Sequence, residues 1–408
     1  MSPPTGTLDS MGLRSSSIFL VAIALAACTP SPRAPETTEA PAPTDSRLVV
    51  VDTDGSVVTI RPDGSDPVQI AGGGGGRLLF QPQWSPQADK VAWGESTGEG
   101  FAVAVAGADG SEPSTYPTFG LPFYLAWSPD GSRLVALYNN AQSRVEARVI
   151  DVGGGDATVL GSARPYYFSW SPDSTRIVAN RNGQTLDVIE IGGGVTTIDE
   201  GSLTYLAPAW TEAGIFHLGP SGLALGDDSG RSTVLAGIPH AAWFAPNRDG
   251  SKLAVLALGG EDDGPRELTV ALDPAPDLAA NTLSVIAVTT GEIEIVTSER
   301  TAGFFWSPDG RALAILVAGQ APGQLQWVVW RDGSSSRLTS FEPPQSFVLS
   351  VLQFAPQYSL SLRLWSPASD TLAFPGEIRG RSGVWVQPVD GGDPVRVAGG
   401  DWVAWSNR

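Results

Sequence analysis

Leu125-Ala126-Trp127-Ser128-Pro129-Asp130-Gly131-Ser132-Arg133-Leu134-Val135-Ala136-Leu137 is an apolar run, a tight turn and a second apolar run. Pro129 presets the φ needed at the second position of such a turn, Asp130 can bond back onto its own backbone, and Gly131 accepts a positive φ. The stretch therefore predicts a β-hairpin. Related turns occur at Trp84-Ser85-Pro86, Trp170-Ser171-Pro172-Asp173, Trp306-Ser307-Pro308-Asp309-Gly310 and Trp365-Ser366-Pro367. Looser copies stand at Trp210-Thr211-Glu212, Trp243-Phe244-Ala245-Pro246 and Trp405-Ser406. Successive marker tryptophans lie 43, 43, 40, 33, 63, 59 and 40 residues apart, near the period of about 40–45 residues of a four-stranded propeller blade.

Length and composition agree with that period. A single core stops growing near about 250–300 residues, so a chain of 408 is either several domains or one radially repeated domain. Apolar residues make up 42%, and 48 Gly with 33 Pro suit short strands and many turns. No helical periodicity stands out beyond the N-terminus. The fold class expected over residues 47–408 is all-β, a β-propeller of four-stranded blades.

Its ends predict how the ring closes. Leu48-Val49-Val50-Val51, Val57-Val58-Thr59-Ile60 and Val68-Gln69-Ile70 read as three strands with no Trp-bearing strand before them. That missing strand stands at the other end, Trp402-Val403-Ala404-Trp405-Ser406, and pairing the two removes the open edges. Seven further units begin near Phe80, Phe123, Tyr166, Tyr205, His240, Phe304 and Leu362, so eight blades are expected with a seam blade built from both termini. Seven is the alternative, because the unit from Trp210 to Gly237 is short and has Thr211-Glu212 in place of Ser-Pro.

Residues 1–27 read as a signal peptide: Arg14, an apolar run from Ile18 to Ala27 too short to span a bilayer, and small residues at its end. Leu25-Ala26-Ala27-Cys28 resembles the bacterial lipobox, which implies that Cys28 becomes the diacylglyceryl-modified first residue of a lipoprotein. It is the one cysteine in the chain, so no intramolecular disulfide can form. Residues 28–46 then form a Pro/Thr-rich tether without branched aliphatic or aromatic side chains, expected to be disordered. With 25 Lys plus Arg against 43 Asp plus Glu, the net charge is −18. Such a surface repels phosphates and anionic headgroups, so no nucleic acid is expected and the membrane is met through the N-terminal lipid alone.

The Trp-Ser-Pro-Asp-Gly turns, the small apolar strands after them such as Arg311-Ala312-Leu313-Ala314-Ile315, and Gly-rich turns like Asp390-Gly391-Gly392-Asp393 resemble the TolB-type, WD40-like (PD40) repeats of bacterial envelope proteins. The resemblance covers residues 47–408 and implies a propeller that docks proteins in the envelope. It is specific for fold and carries no partner, because the matching residues are turn and core. The α/β-hydrolase domain that accompanies the propeller in prolyl oligopeptidase-type enzymes has no counterpart here.

Chemical motifs are sparse. Gly94-Glu95-Ser96-Thr97-Gly98 matches G-x-S-x-G, yet a nucleophile elbow needs a helix after it and a His partner; a strand from Phe101 follows, and the chain has only His217 and His240. Gly72 to Gly76 lacks the Lys and Ser/Thr of a phosphate-binding loop. Asp52-Thr53-Asp54-Gly55 and Glu261-Asp262-Asp263-Gly264 are the oxygen-rich turns where calcium would sit, but neither has a full ligand spacing, so no cofactor or metal is expected.

Three residues before each marker lie Gln81, Tyr124, Tyr167, Ala207, His240, Gly303, Leu362 and Trp402. On innermost strands these form a ring near one channel mouth, where Tyr124, Tyr167, His240 and Trp402 would make an aromatic sector for sugars or peptide side chains. Period-2 alternation leaves the other option, burial between blades. Two units carry insertions, 259–281 and 341–358, expected as loops on a propeller face. Together these features predict a monomeric, non-enzymatic, lipid-anchored extracytoplasmic propeller that docks an envelope protein or a cell-wall polymer. The alternative is carbohydrate or small-ligand binding at the channel mouth.

Overall fold

The Trp127-Ser128-Pro129-Asp130-Gly131 turn is closed by its own side chains. In the computed structural model, which describes residues 46–155, 157–201, 206–238, 241–259 and 278–407, Ser128 Oγ donates to Asp130 Oδ1 at 2.6 Å and accepts the Arg133 N–H at 3.0 Å. Asp130 Oδ1 also accepts the Ser132 N–H at 3.0 Å. Ser171, Asp173, Thr175 and Arg176 repeat this set in the next unit. Each turn thereby satisfies the backbone groups that a reversal would otherwise strand.

The hairpins assemble into eight antiparallel sheets arranged as propeller blades. Blades 1 to 6 run over residues 78–118, 122–163, 166–200, 209–236, 241–297 and 301–341, each four-stranded. Blade 7 has three ladder strands over 371–398, and its innermost strand is reduced to the bridge between Trp365 and Leu372. The seam blade pairs Trp402–Trp405 with Leu48–Val51, Leu48 opposite Trp405 and Val51 opposite Trp402. Eight blades and a two-terminus seam are therefore the architecture. The short unit survives as blade 4 because Thr211 pairs with Gly214 across a two-residue turn.

Blades pack face to face, so their inner strands are buried on both faces and read as unbroken apolar runs, such as Leu313 to Val317. Outer strands such as Val195–Glu200 are mostly exposed. Adjacent blades are also latched by hydrogen bonds. The indoles of Trp127, Trp170, Trp306 and Trp365 donate to Gln83 O, Ala126 O, Ala245 O and Phe305 O of the preceding blade, at 3.4, 3.1, 2.9 and 3.0 Å.

The blade 5 marker differs from the sequence reading. Asn247 N–H donates to Lys252 O and Gly250 N–H to Asn247 O, the bonds that Ser128 and Gly131 make in blade 2. Asn247-Arg248-Asp249-Gly250 is thus the turn, and Pro246, not Trp243, stands where the other blades have the marker tryptophan.

The 341–358 insertion is no face loop. Pro343 and Pro344 stop the strand, and the chain then forms α1 (Gln345–Ser350), a 3-10 turn (Leu352–Phe354) and α2 (Ala355–Tyr358), with Pro356 in the first turn of α2 where its missing N–H costs nothing. Phe347, Val351, Ala355 and Tyr358, spaced at helical period, are all buried. Of the 259–281 insertion, residues 260–277 lie outside the described residues, as do residues 1–45.

Two predictions follow from the turns. Gly131 and Gly310 sit at φ 70° and 68°, while Ala88, Ser174 and Ser369 hold the same position at 59°, 63° and 60°. Ser174 and Ser369 put their hydroxyls to use, accepting the Asp130 and Asp309 N–H groups of the neighbouring blade. Ala88→Gly is expected to stabilise by up to about 1 kcal/mol by releasing left-handed strain, whereas Ser174→Gly gains nothing net, as read from urea midpoints. The Ser171 hydroxyl, with the Thr175 N–H, pulls the Asp173 carboxyl down to about 2 from 3.8. A depressed folded value means stability that is complete above the unfolded value and lost as pH falls from 3.8 towards 2. Melting temperature should drop across that window, with a shallower slope in Asp173→Asn.

Candidate functional site

The innermost strand of a blade is an edge whose unpaired backbone faces the channel. In this chain the segment from α1 onward occupies the channel and supplies partners. Gln357 Nε2 donates to Phe168 O at 2.9 Å and to Tyr124 Oη at 3.0 Å, and Gln357 Oε1 accepts the Phe168 N–H at 3.4 Å. Tyr358 Oη donates to Phe123 O at 3.0 Å, and Tyr124 Oη donates to Ser361 Oγ at 2.9 Å. The Tyr358 ring meets Tyr124 edge-on at 5.2 Å and Trp402 at 6.3 Å. Burial raises the phenol pKa of both Tyr124 and Tyr358, keeping them neutral donors. The insertion is a plug, held on blades 2 and 3 and against the seam.

A cavity lies on either side of it. On the side where the inner strands begin, a groove of about 740 Å³ runs between the plug and blades 2 and 3. Phe123, Tyr166, Tyr167, Leu349 and Phe354 give it aromatic and apolar walls, with Gln81, Asn139 and the exposed Arg164 as polar points. A Cβ at Gly120 would collide with Asn139 O at 2.2 Å, so the loop carrying exposed Phe119 and Leu121 lies directly on the groove rim. On the turn side a second cavity of about 730 Å³ is walled by marker tryptophans and floored by Gln357 to Leu362.

The four aromatic candidates have different fates. Tyr124 and Tyr167 line the same groove, Tyr167 half-buried and Tyr124 at its base with 4% of its surface exposed. Trp402 is 6% exposed and donates its indole N–H to Pro82 O of blade 1 at 3.0 Å, a latch across the seam. His240 lies outside the described residues. With Pro246 as the blade 5 marker, Trp243 and not His240 holds the ring position, buried and packed on Phe304 at 4.7 Å. Tyr124 and Trp402 are thus packed, the option that period-2 alternation left, while Tyr167 lines the groove.

Several sequence motifs resolve into local structure. Gly94 to Gly98 closes the strand Lys90–Thr97, with Thr97 opposite Gly100 in the hairpin. Asp52 Oδ1 accepts the Thr53 N–H and Asp54 Oδ1 the Ser56 N–H, so these carboxylates cap their own turn. No cluster of three or more His, Cys, Asp or Glu side chains with metal-binding geometry occurs among the described residues. Glu261 to Gly264 and Cys28 lie outside them. Sequence reasoning missed Gln357, Tyr358 and Arg363; the signal was the 347, 351, 355, 358 spacing and a charge two residues before the Trp365 marker.

No protein-family model matches the chain, and no curated protein matches it. Among solved structures the fold is shared with a eukaryotic initiation factor, at 13% identity over 89% of this chain and 98% of that one, TM-score 0.53. It is shared also with an oligogalacturonate lyase in complex with manganese, at 12% identity over 84% and 95%, TM-score 0.51. TolB from Acinetobacter baumannii matches at 15% identity over 71% of this chain, TM-score 0.39, and the match spans 61% of the TolB chain. At these identities the likeness to the initiation factor and the lyase is one of fold alone.

Gln357→Leu removes the side chain that satisfies both backbone groups of Phe168. It is expected to cost about 1–3 kcal/mol and to speed amide hydrogen exchange at Phe168 and in residues 345–362, while the outer strands keep their protection.

Proposed function

We propose that this chain is a lipid-tethered, extracytoplasmic propeller that docks a protein of the bacterial cell envelope through its plug-side mouth. The observation that carries the reading is the exposed apolar set Phe119, Leu121, Leu349 and Phe354, of which Leu349 and Phe354 line the groove and the other two stand on its rim loop. Clustered exposed apolar side chains around a concavity are the ordinary make-up of an interaction surface. The Leu25-Ala26-Ala27-Cys28 motif supports the tether, and no helix among the described residues is long and apolar enough to cross a membrane. Strand and turn roles absorb the motifs that resembled catalytic ones, so the reading is of a binding protein without catalysis, monomeric and without a cofactor.

A second reading, a carbohydrate or small ligand in the same groove, is favoured by the Tyr124 and Tyr167 rings beside Asn139 and Gln81. One set of experiments separates the two. A photo-crosslinking residue at position 119 in the native host should trap a discrete protein adduct, and Leu349→Asp, an exposed change that leaves the fold intact, should abolish it. Absence of any adduct, with a soluble glycan protecting Tyr167 from chemical modification, overturns the first reading in favour of the second. Cys28→Ser should move the protein from the membrane fraction to the soluble one, and unchanged fractionation would remove the tether.

A further inference from the structure

The turn-side cavity, on the far side of the plug from the proposed docking groove, has a different chemistry. Its two charged lining residues are Arg248 and Arg363, and no Asp or Glu lines it among the described residues. That is an inversion of a chain with 43 acidic and 25 basic residues. Nine arginines elsewhere, Arg77, Arg181 and Arg337 among them, lie within reach of a carboxylate. The Arg363 and Arg248 guanidinium groups have neither an ion pair nor a hydrogen-bond acceptor among the described residues.

The blade repeat makes Arg363 stand out further. It lies two residues before its marker, a position filled by Leu125, Phe168, Phe244, Phe304 and Val403 in five other blades and by proline in the remaining two. Burial, with Arg248 close by, pushes the Arg363 guanidinium down to about 10. A half-buried cation with a second one close by is destabilised unless an anion joins them. The planar fork of arginine matches a carboxylate or phosphate bidentately. The side chains of Trp170, Trp306 and Trp365 line the same space and give it apolar walls for the rest of such a ligand.

We infer that the turn-side cavity binds a small ligand bearing a carboxylate or phosphate, held by Arg363 at depth and by Arg248 at the rim. The site is separate from the plug-side groove and stands or falls independently of it.

The test uses the full-length chain, titrated with inorganic phosphate, with glucuronate and with uncharged glucose by calorimetry and thermal denaturation. At least one of the two anions should bind saturably and raise the melting temperature, and glucose should do neither. Binding of phosphate alone assigns a phosphate ligand, and of glucuronate alone a carboxylate one. Arg363→Gln and Arg248→Gln should each weaken the anion by about tenfold or more, and Arg248, being exposed, can be changed without harm to folding. Arg363→Met without ligand should melt no lower than the unaltered chain, because it removes a charge that nothing pairs. Tyr167→Ala, in the other cavity, should keep the anion affinity. Failure of both anions to bind at millimolar concentration overturns the inference, as does binding by both arginine variants as tight as that of the unaltered chain.

Discussion

The inner strand of every blade has a neighbour on one side only, and the groups on its free side must be satisfied inside a narrow channel. Most of what distinguishes this propeller answers that constraint. Marker indoles reach back to carbonyls of the preceding inner strand, so the tryptophan that fills the space between blades also binds backbone. Where the latch is absent in its usual form, other groups stand in: Trp402 bonds forward across the seam to Pro82 O, and Ser169 Oγ accepts the Trp210 N–H. In blades 2 and 3 the plug takes over, with Gln357 covering Phe168 and Tyr358 covering Phe123. Loss of any one such partner strands a buried polar group, which costs more than the bond was worth.

The architecture was legible in the sequence because turn chemistry is local. Ser, Pro, Asp and Gly in fixed order close the same hairpin whatever surrounds them, and the unpaired strand signals at both termini pointed to the seam. Blade 5 was misread because the motif had drifted: Asn247 replaces the serine and Pro246 the tryptophan, so the nearest Trp was taken for the marker. The plug was missed for a different reason. Its helical face is only four residues, Phe347, Val351, Ala355 and Tyr358, interrupted by Pro356, and it folds helically because the channel wall satisfies it rather than through helix propensity. Sequence alternation leaves Tyr124 either open or buried, and the plug decides it, since the ring position is open or closed according to what fills the channel.

The plug also divides one channel into two compartments of unlike character. On one side aromatic and aliphatic side chains dominate, with exposed apolar residues continuing onto the rim. On the other, the guanidinium groups of Arg248 and Arg363 line a space that holds no Asp or Glu among the described residues, inside a molecule of net charge −18. A strongly negative exterior disfavours the approach of large polyanions to either compartment.

The seam has a bearing on how the molecule is made. Arg47 N–H and Ser406 Oγ, bonded at 2.9 Å, are 359 positions apart along the chain, so their contact is among the most non-local in the structure. Every other blade can form from neighbouring residues, whereas the seam blade cannot begin until Trp402–Trp405 exists. Until then the growing arc has a raw strand edge at Leu48–Val51, competent to pair with a foreign strand, and an uncovered apolar face on blade 7. The final strand is therefore the clasp of the assembly, and the interval before it engages is the period in which this protein is most exposed to aggregation or to capture by a chaperone.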